Sequence, residues 1–159
     1  MLITLNMFNF FTFFGALRQP SSAPPILQLT DFKEIRRVSA DMSYPNEYFD
    51  WNKPGGIQLE YYEKTDTDNL RQIGYIRYYK TTGQVGLFFI FKPEHRGRGL
   101  GKQILDKAIA EMRENNCKEV WAVTLKNHSF WSNVYGGAFE YRDPAHPSVT
   151  SDGYYMKLF

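Results

Sequence analysis

Between Phe91 and Lys102 the chain reads Phe-Lys-Pro-Glu-His-Arg-Gly-Arg-Gly-Leu-Gly-Lys, with glycines at every second position from Gly97 to Gly101 and cations at Arg96, Arg98 and Lys102. These residue types suit the binding of an anion. Glycine lets a ligand come close to the backbone and reaches conformations other residues avoid. Upstream, Val85-Gly86-Leu87-Phe88-Phe89-Ile90-Phe91 is an apolar run expected to form a buried strand. Downstream, Leu100, Ile104, Leu105, Ala108, Ile109 and Met112 recur at helical spacing, opposite a charged face. The glycines therefore fall where a strand gives way to a helix, and the first N–H groups of a helix are unpaired and carry partial positive charge. The expected structure is an anion cradle, best suited to phosphate groups.

Two phosphate loops fail on spacing. A dinucleotide fingerprint needs G-x-G-x-x-G, whereas Gly97, Gly99 and Gly101 alternate strictly. A Walker A loop needs glycine where Arg96 stands and Ser or Thr where Gln103 stands. By contrast, Arg96-Gly97-Arg98-Gly99-Leu100-Gly101 matches R-x-x-G-x-G, and from Phe91 the chain resembles the longer phrase V-x-P-E-x-R-G-x-G-(I/L)-G, with Phe in place of Val. On these residues the chain resembles the GNAT superfamily of acyl-CoA-dependent N-acyltransferases.

The resemblance implies acetyl-CoA as co-substrate, with Arg96, Gly97, Arg98, Gly99, Leu100, Gly101 and Lys102 on its diphosphate. Phe89, Ile90 and Phe91 would pair their backbone with the pantetheine arm like an added strand. Asn127, after the next strand, stands where the family often hydrogen-bonds that arm; it also reads as a helix N-cap. Family members commonly carry F-Y-x-x-x-G-F, whose Tyr protonates the departing thiolate. Here Phe130-Trp131 resembles the aromatic pair and Ala138-Phe139 the closing pair, at a longer spacing. Tyr135 is the nearest hydroxyl, so it is the expected general acid, with a packing role as the alternative.

An amine must lose a proton to attack. A lysine-like amine of pKa near 10.4 is free base in about one molecule in 2,500 at pH 7, a cost of about 4.6 kcal/mol. The central strand has no carboxylate, which leaves Glu60, His128, and Asp143 or His146 as candidate bases. The acceptor pocket implied by the resemblance lies between the early loop and the last strands, at Tyr44, Tyr48, Trp51, Asp143 and His146. That suits a small primary amine, with a peptide or protein amine (N-terminus or lysine) as a second reading. A non-catalytic CoA-binding module is the reading from another class.

Composition narrows the remaining classes. A formal charge of +2 over 159 residues gives no drive towards nucleic acid. The single Cys117 excludes a disulfide framework and fits a small buried residue in a reducing, cytoplasmic setting. His95, His128 and His146 lack zinc spacing, so no metal is expected.

The expected fold is α/β (α+β), a mixed, mostly antiparallel central sheet flanked by helices. Residues 1–25 form a Phe-rich extension and linker, and residues 26–159 the GNAT-type domain. Phe8, Phe10, Phe11, Phe13 and Phe14 are interrupted by Asn9 and Thr12. That run is too broken for a membrane span of about 20 apolar residues. Packing on the domain or on a second copy, as in a homodimer, explains it better than a targeting role. In order, the pattern predicts a strand at 26–29 and a helix from Thr30 or Asp31 to about Met42, its apolar face marked by Phe32, Ile35 and Val38. Strands follow at 57–64, 72–80 and 85–91, then the helix after the cradle. A strand at 119–125, a short helix at 127–135 and a strand pair at 138–142 and 154–159 complete the chain.

Overall fold

The structure is a computed structural model that describes residues 23–38, 55–64, 70–122, 128–143 and 152–159. Its centre is a seven-stranded sheet. The strands are β1 (Phe32–Val38), β2 (Gly56–Glu63), β3 (Gln72–Tyr79), β4 (Gln84–Ile90), β5 (Glu119–Ala122), β6 (Glu140–Arg142) and β7 (Gly153–Lys157). Their order across the sheet is β1-β2-β3-β4-β5-β7-β6. Every neighbouring pair is antiparallel except β4–β5. Helix α1 (Leu100–Glu114) makes the crossover between those two parallel strands, as a parallel pair requires. A shorter helix α2 (His128–Asn133) follows β5. The expected mixed, mainly antiparallel sheet with flanking helices is the one observed.

Helix α1 buries Leu100, Ile104, Leu105, Ala108, Ile109 and Met112, the apolar positions of its periodic pattern. They share one core with Ile57, Leu59 and Tyr61 of β2 and Ile76 and Tyr78 of β3, residues that alternate along their strands and so share a face. Cys117 follows the helix, buried, its thiol held to the Lys80 carbonyl at 3.0 Å and pushed up in pKa by burial. It is a packing residue.

One element differs in kind. The helix expected from Thr30 or Asp31 to Met42 is replaced, over 32–38, by strand β1; residues 39–42 lie outside the described residues. Asp31 accepts the Gln28 N–H at 3.2 Å at a single 3-10 turn, Leu29–Asp31, rather than capping an α-helix. The cause is long-range. β1 pairs with β2 from Phe32↔Glu63 to Val38↔Ile57, and its alternate side chains reach α1. Glu34 meets Lys107 at 2.5 Å, and Arg36 forms a two-pronged pair with Glu111 at 2.5 and 2.8 Å. Two residues of strand advance about 6.7 Å and four of helix about 6 Å, so the two ion pairs stand in register. Of the strand expected at 26–29, residues 26–28 belong to no ladder and Leu29 opens the 3-10 turn. Among the described residues no helix is long and apolar enough to cross a membrane, and no group of His, Cys, Asp and Glu could hold a metal ion.

Candidate donor and acceptor site

After β4 a 3-10 turn, Pro93–His95, leads into the glycine loop. Gly97 has φ +66 and Gly99, the residue before α1, has φ +82, both in the left-handed region that favours glycine. The first intrahelical bond runs from the Gln103 N–H to the Gly99 carbonyl at 3.3 Å. The N–H groups of residues 97–102 therefore donate to no acceptor among the described residues. The first turn of α1 contains no acidic side chain. A row of unpaired amides at the positive end of a 15-residue helix fits a diphosphate.

The cationic side chains bond within the protein. Arg96 donates from Nε to the Ile90 carbonyl at 2.9 Å and from Nη2 to the Phe91 carbonyl at 3.2 Å, tying the loop to the end of β4. Arg98 donates to the Pro25 carbonyl at 2.9 Å. Lys102 pairs with Asp106 at 2.8 Å and sits 4.7 Å from the centre of the Tyr135 ring. All three supply positive potential, but hydrogen bonding to an anion in this arrangement falls to the backbone. Gly101 also serves differently. A side chain there would meet Phe130 Cε2 at 3.2 Å and Phe88 Cζ at 3.4 Å, so its smallness serves packing between α1, α2 and β4.

Strand parity decides which groups of β4 could meet an added strand. The Phe91 N–H is donated to the Ile73 carbonyl at 2.9 Å. Ladder bonds alternate, so Phe89 also turns its N–H and carbonyl towards β3, while Phe88 and Ile90 turn theirs to the β5 side. Among the described residues β5 pairs with β4 only at Gln84↔Trp121 and Val85↔Ala122. Of the expected trio, then, Ile90 turns its backbone groups to the β5 side, and Phe89 and Phe91 turn theirs to β3. Phe88 shares the orientation of Ile90, which sequence does not reveal because it gives the alternation of a strand but not which neighbour each residue faces.

The side chains of β4 divide by face. Phe88 packs on Phe130 and Trp131, at ring-centre distances of 5.4 and 6.3 Å, closing the α1–α2 side. Phe89 and Phe91 project to the other side with Tyr75, at 5.7 and 5.6 Å from it, and each is 45% exposed.

The nominated acid–base residues among the described residues each have a place. Glu60, buried on β2, accepts from Tyr62 Oη at 2.6 Å, Arg37 Nε at 2.9 Å and Gln58 Nε2. Burial alone would raise its pKa, but these donors outweigh it and hold the carboxyl below the ordinary 4.5. It is a structural anion and a weak base. The Tyr135 hydroxyl donates to Asp106 on α1, and burial together with that carboxylate pushes its pKa far above 10. His128 opens α2 with Nδ1 3.2 Å from the Tyr154 hydroxyl and Nε2 without a partner among the described residues. Asp143 is exposed just after β6. Asn127, Tyr44, Tyr48, Trp51, His146 and residues 1–22 lie outside the described residues.

Residues 27–132 match the model of the acetyltransferase (GNAT) family. The chain belongs to that family. Among solved structures it is similar to one described as an acyl-CoA N-acyltransferase from Klebsiella pneumoniae, with 18% identity, 80% of this chain and 98% of that chain covered, and a TM-score of 0.53. It is also similar to an N-acetyltransferase structure from Lactobacillus plantarum, with 15% identity, coverage of 80% and 99%, and a TM-score of 0.50. At such identities these likenesses speak for the fold. No curated protein matches the chain in sequence.

Proposed function

We propose that this GNAT protein moves an acetyl group from acetyl-CoA to a primary amine by direct attack, with both substrates bound together. The unpaired amide row at 97–102 carries the reading, because it is built for a diphosphate and stands beside β4. The N–H groups of this row hold the diphosphate, and the backbone of Phe88 and Ile90 orients the amide-bearing arm. The thioester supplies the activated acyl group. Direct transfer is favoured because Cys117, the chain's one thiol, is buried and bonded to a carbonyl.

The amine approaches on the side opposite α1, since Phe88, Phe130 and Trp131 fill the near side. There it meets Tyr75, Phe89 and Phe91, which favour a small amine on a partly apolar or aromatic scaffold. His128, at the start of α2, is the proposed proton acceptor through a relay, as Glu60 is engaged by three donors. That engagement favours the second reading, a non-catalytic acyl-CoA-binding module.

Calorimetric titration with acetyl-CoA, CoA and ATP tests the donor site, with micromolar binding of both CoA species and much weaker ATP binding expected. No CoA binding by folded protein would overturn the proposal. A panel of amines assayed for thiol release then separates enzyme from binding module. His128→Gln should lower kcat/KM while leaving CoA affinity unchanged.

A further inference from the structure

The segment before β1 lies across the glycine loop. The Leu27 N–H donates to the Arg98 carbonyl at 3.0 Å, and Arg98 Nε donates back to the Pro25 carbonyl at 2.9 Å. From α1, Gln103 brackets the same segment. Its Nε2 donates to the Leu27 carbonyl at 2.7 Å and its Oε1 accepts the Leu29 N–H at 2.9 Å. Ile26 closes the contact, its Cγ2 only 3.1 Å from where a Gly99 side chain would begin. Backbone and side-chain bonds thus fasten residues 25–29 to the loop.

This fastening has a direction. In a planar trans peptide the carbonyl of one residue and the N–H of the next point opposite ways. With the Arg98 carbonyl held towards residue 27, the Gly99 N–H is turned away from the strap, and it donates to no acceptor among the described residues. A glycine pair flanking Arg98 would otherwise rotate that peptide at little cost. We infer that residues 25–29 are part of the donor site: the strap aims the Gly99 N–H at the diphosphate, and Gln103, which holds the strap, is a positioning residue for that group. The inference rests on acetyl-CoA being the donor. Preorganised donors bind an anion more tightly because no ordering remains to be done on binding.

The test is calorimetry on full-length protein with two probes, CoA and pantetheine, the second lacking the diphosphate. Wild type is titrated with CoA first, so that failure of the donor assignment is seen separately. Gln103→Leu removes both strap bonds and should weaken CoA about tenfold while shifting pantetheine less than about twofold. Leu27→Pro removes the N–H donated to Arg98, on an extended segment outside the helix, and should give the same split if Gln103→Leu does not fold. Unchanged CoA affinity in a folded variant, or equal weakening of both probes, overturns the inference.

Discussion

The loop at 97–102 and the bend after α2 leave regular geometry by the same device and use it for opposite ends. The loop alternates left-handed glycines, Gly97 and Gly99, and leaves its N–H groups unpaired. The bend places three left-handed residues in a row, Tyr135, Gly136 and Gly137, and its one large side chain is fully engaged. Tyr135 donates to Asp106, takes Lys102 over its ring and lies 6.1 Å from Phe139. A left-handed residue other than glycine costs about 1–2 kcal/mol, and the Asp106 bond offsets that here. Both regions meet on the first turns of α1, at the Lys102–Asp106 pair. Glycine in such a place opens the backbone to a ligand, whereas a bulky residue there anchors one element to another.

The largest effect that would break this contrast is at Gly99. Gly99→Val should weaken CoA about 100-fold in calorimetry, because its side chain presses on Ile26 and shifts the loop, and left-handed strain should cost about 1–2 kcal/mol of stability as well. Gly101→Val should lower stability by about 1–3 kcal/mol as it presses on Phe130 and Phe88, with CoA affinity changed far less. Equal effects of the two would dissolve the distinction between ligand glycine and packing glycine.

Next in size is the bend. Tyr135→Phe should lower stability by about 1–2 kcal/mol in thermal unfolding, with turnover changing less than about threefold. A large fall in kcat at unchanged stability would instead make Tyr135 the proton donor to the thiolate. Glu60 gives a third, pH-dependent measurement. Its carboxyl titrates below its unfolded value, so its contribution is present above the ordinary 4.5 and is lost as pH falls through the lower folded value. Glu60→Gln should therefore flatten the acid limb of stability against pH. Its kcat/KM near neutrality should hold if His128 takes the proton. The smallest effect is expected at Arg36→Ala, at most about 1 kcal/mol and shrinking with added salt, because the pair with Glu111 is partly exposed.

The glycine loop was legible because its glycines stand at fixed offsets after an apolar run and before a periodic helix, all within one stretch of chain. Strands β2 to β4 and helix α1 were legible for the same local reason. Strand β1 was not. Phe32, Ile35 and Val38 recur every third residue, and Asp31 with Glu34 imitates a capping box, so local pattern spoke for a helix. The partners that decide otherwise, Lys107 and Glu111, are more than seventy residues away in sequence. The bonds that Arg96, Arg98, Lys102 and Tyr135 make within the protein were hidden likewise. Each residue carries the chemistry expected of it, but its bond goes to a carbonyl or carboxylate whose nearness only the fold reveals.

The paired charges between β1 and α1 have a consequence for the other end of the strand. β1 is an edge strand of the described sheet, and the segment that crosses the glycine loop runs directly into it. With the donor held at residues 97–102 as proposed, ionic strength reaches it by two routes. Salt screens the field of the cradle itself, and it also loosens the Glu34–Lys107 and Arg36–Glu111 contacts that hold the edge strand to α1. An edge strand that frays gives slack to residues 25–29. Donor affinity in this protein should then fall with salt more steeply than the charge of the ligand alone dictates, and the excess should vanish when those ion pairs are replaced by neutral side chains.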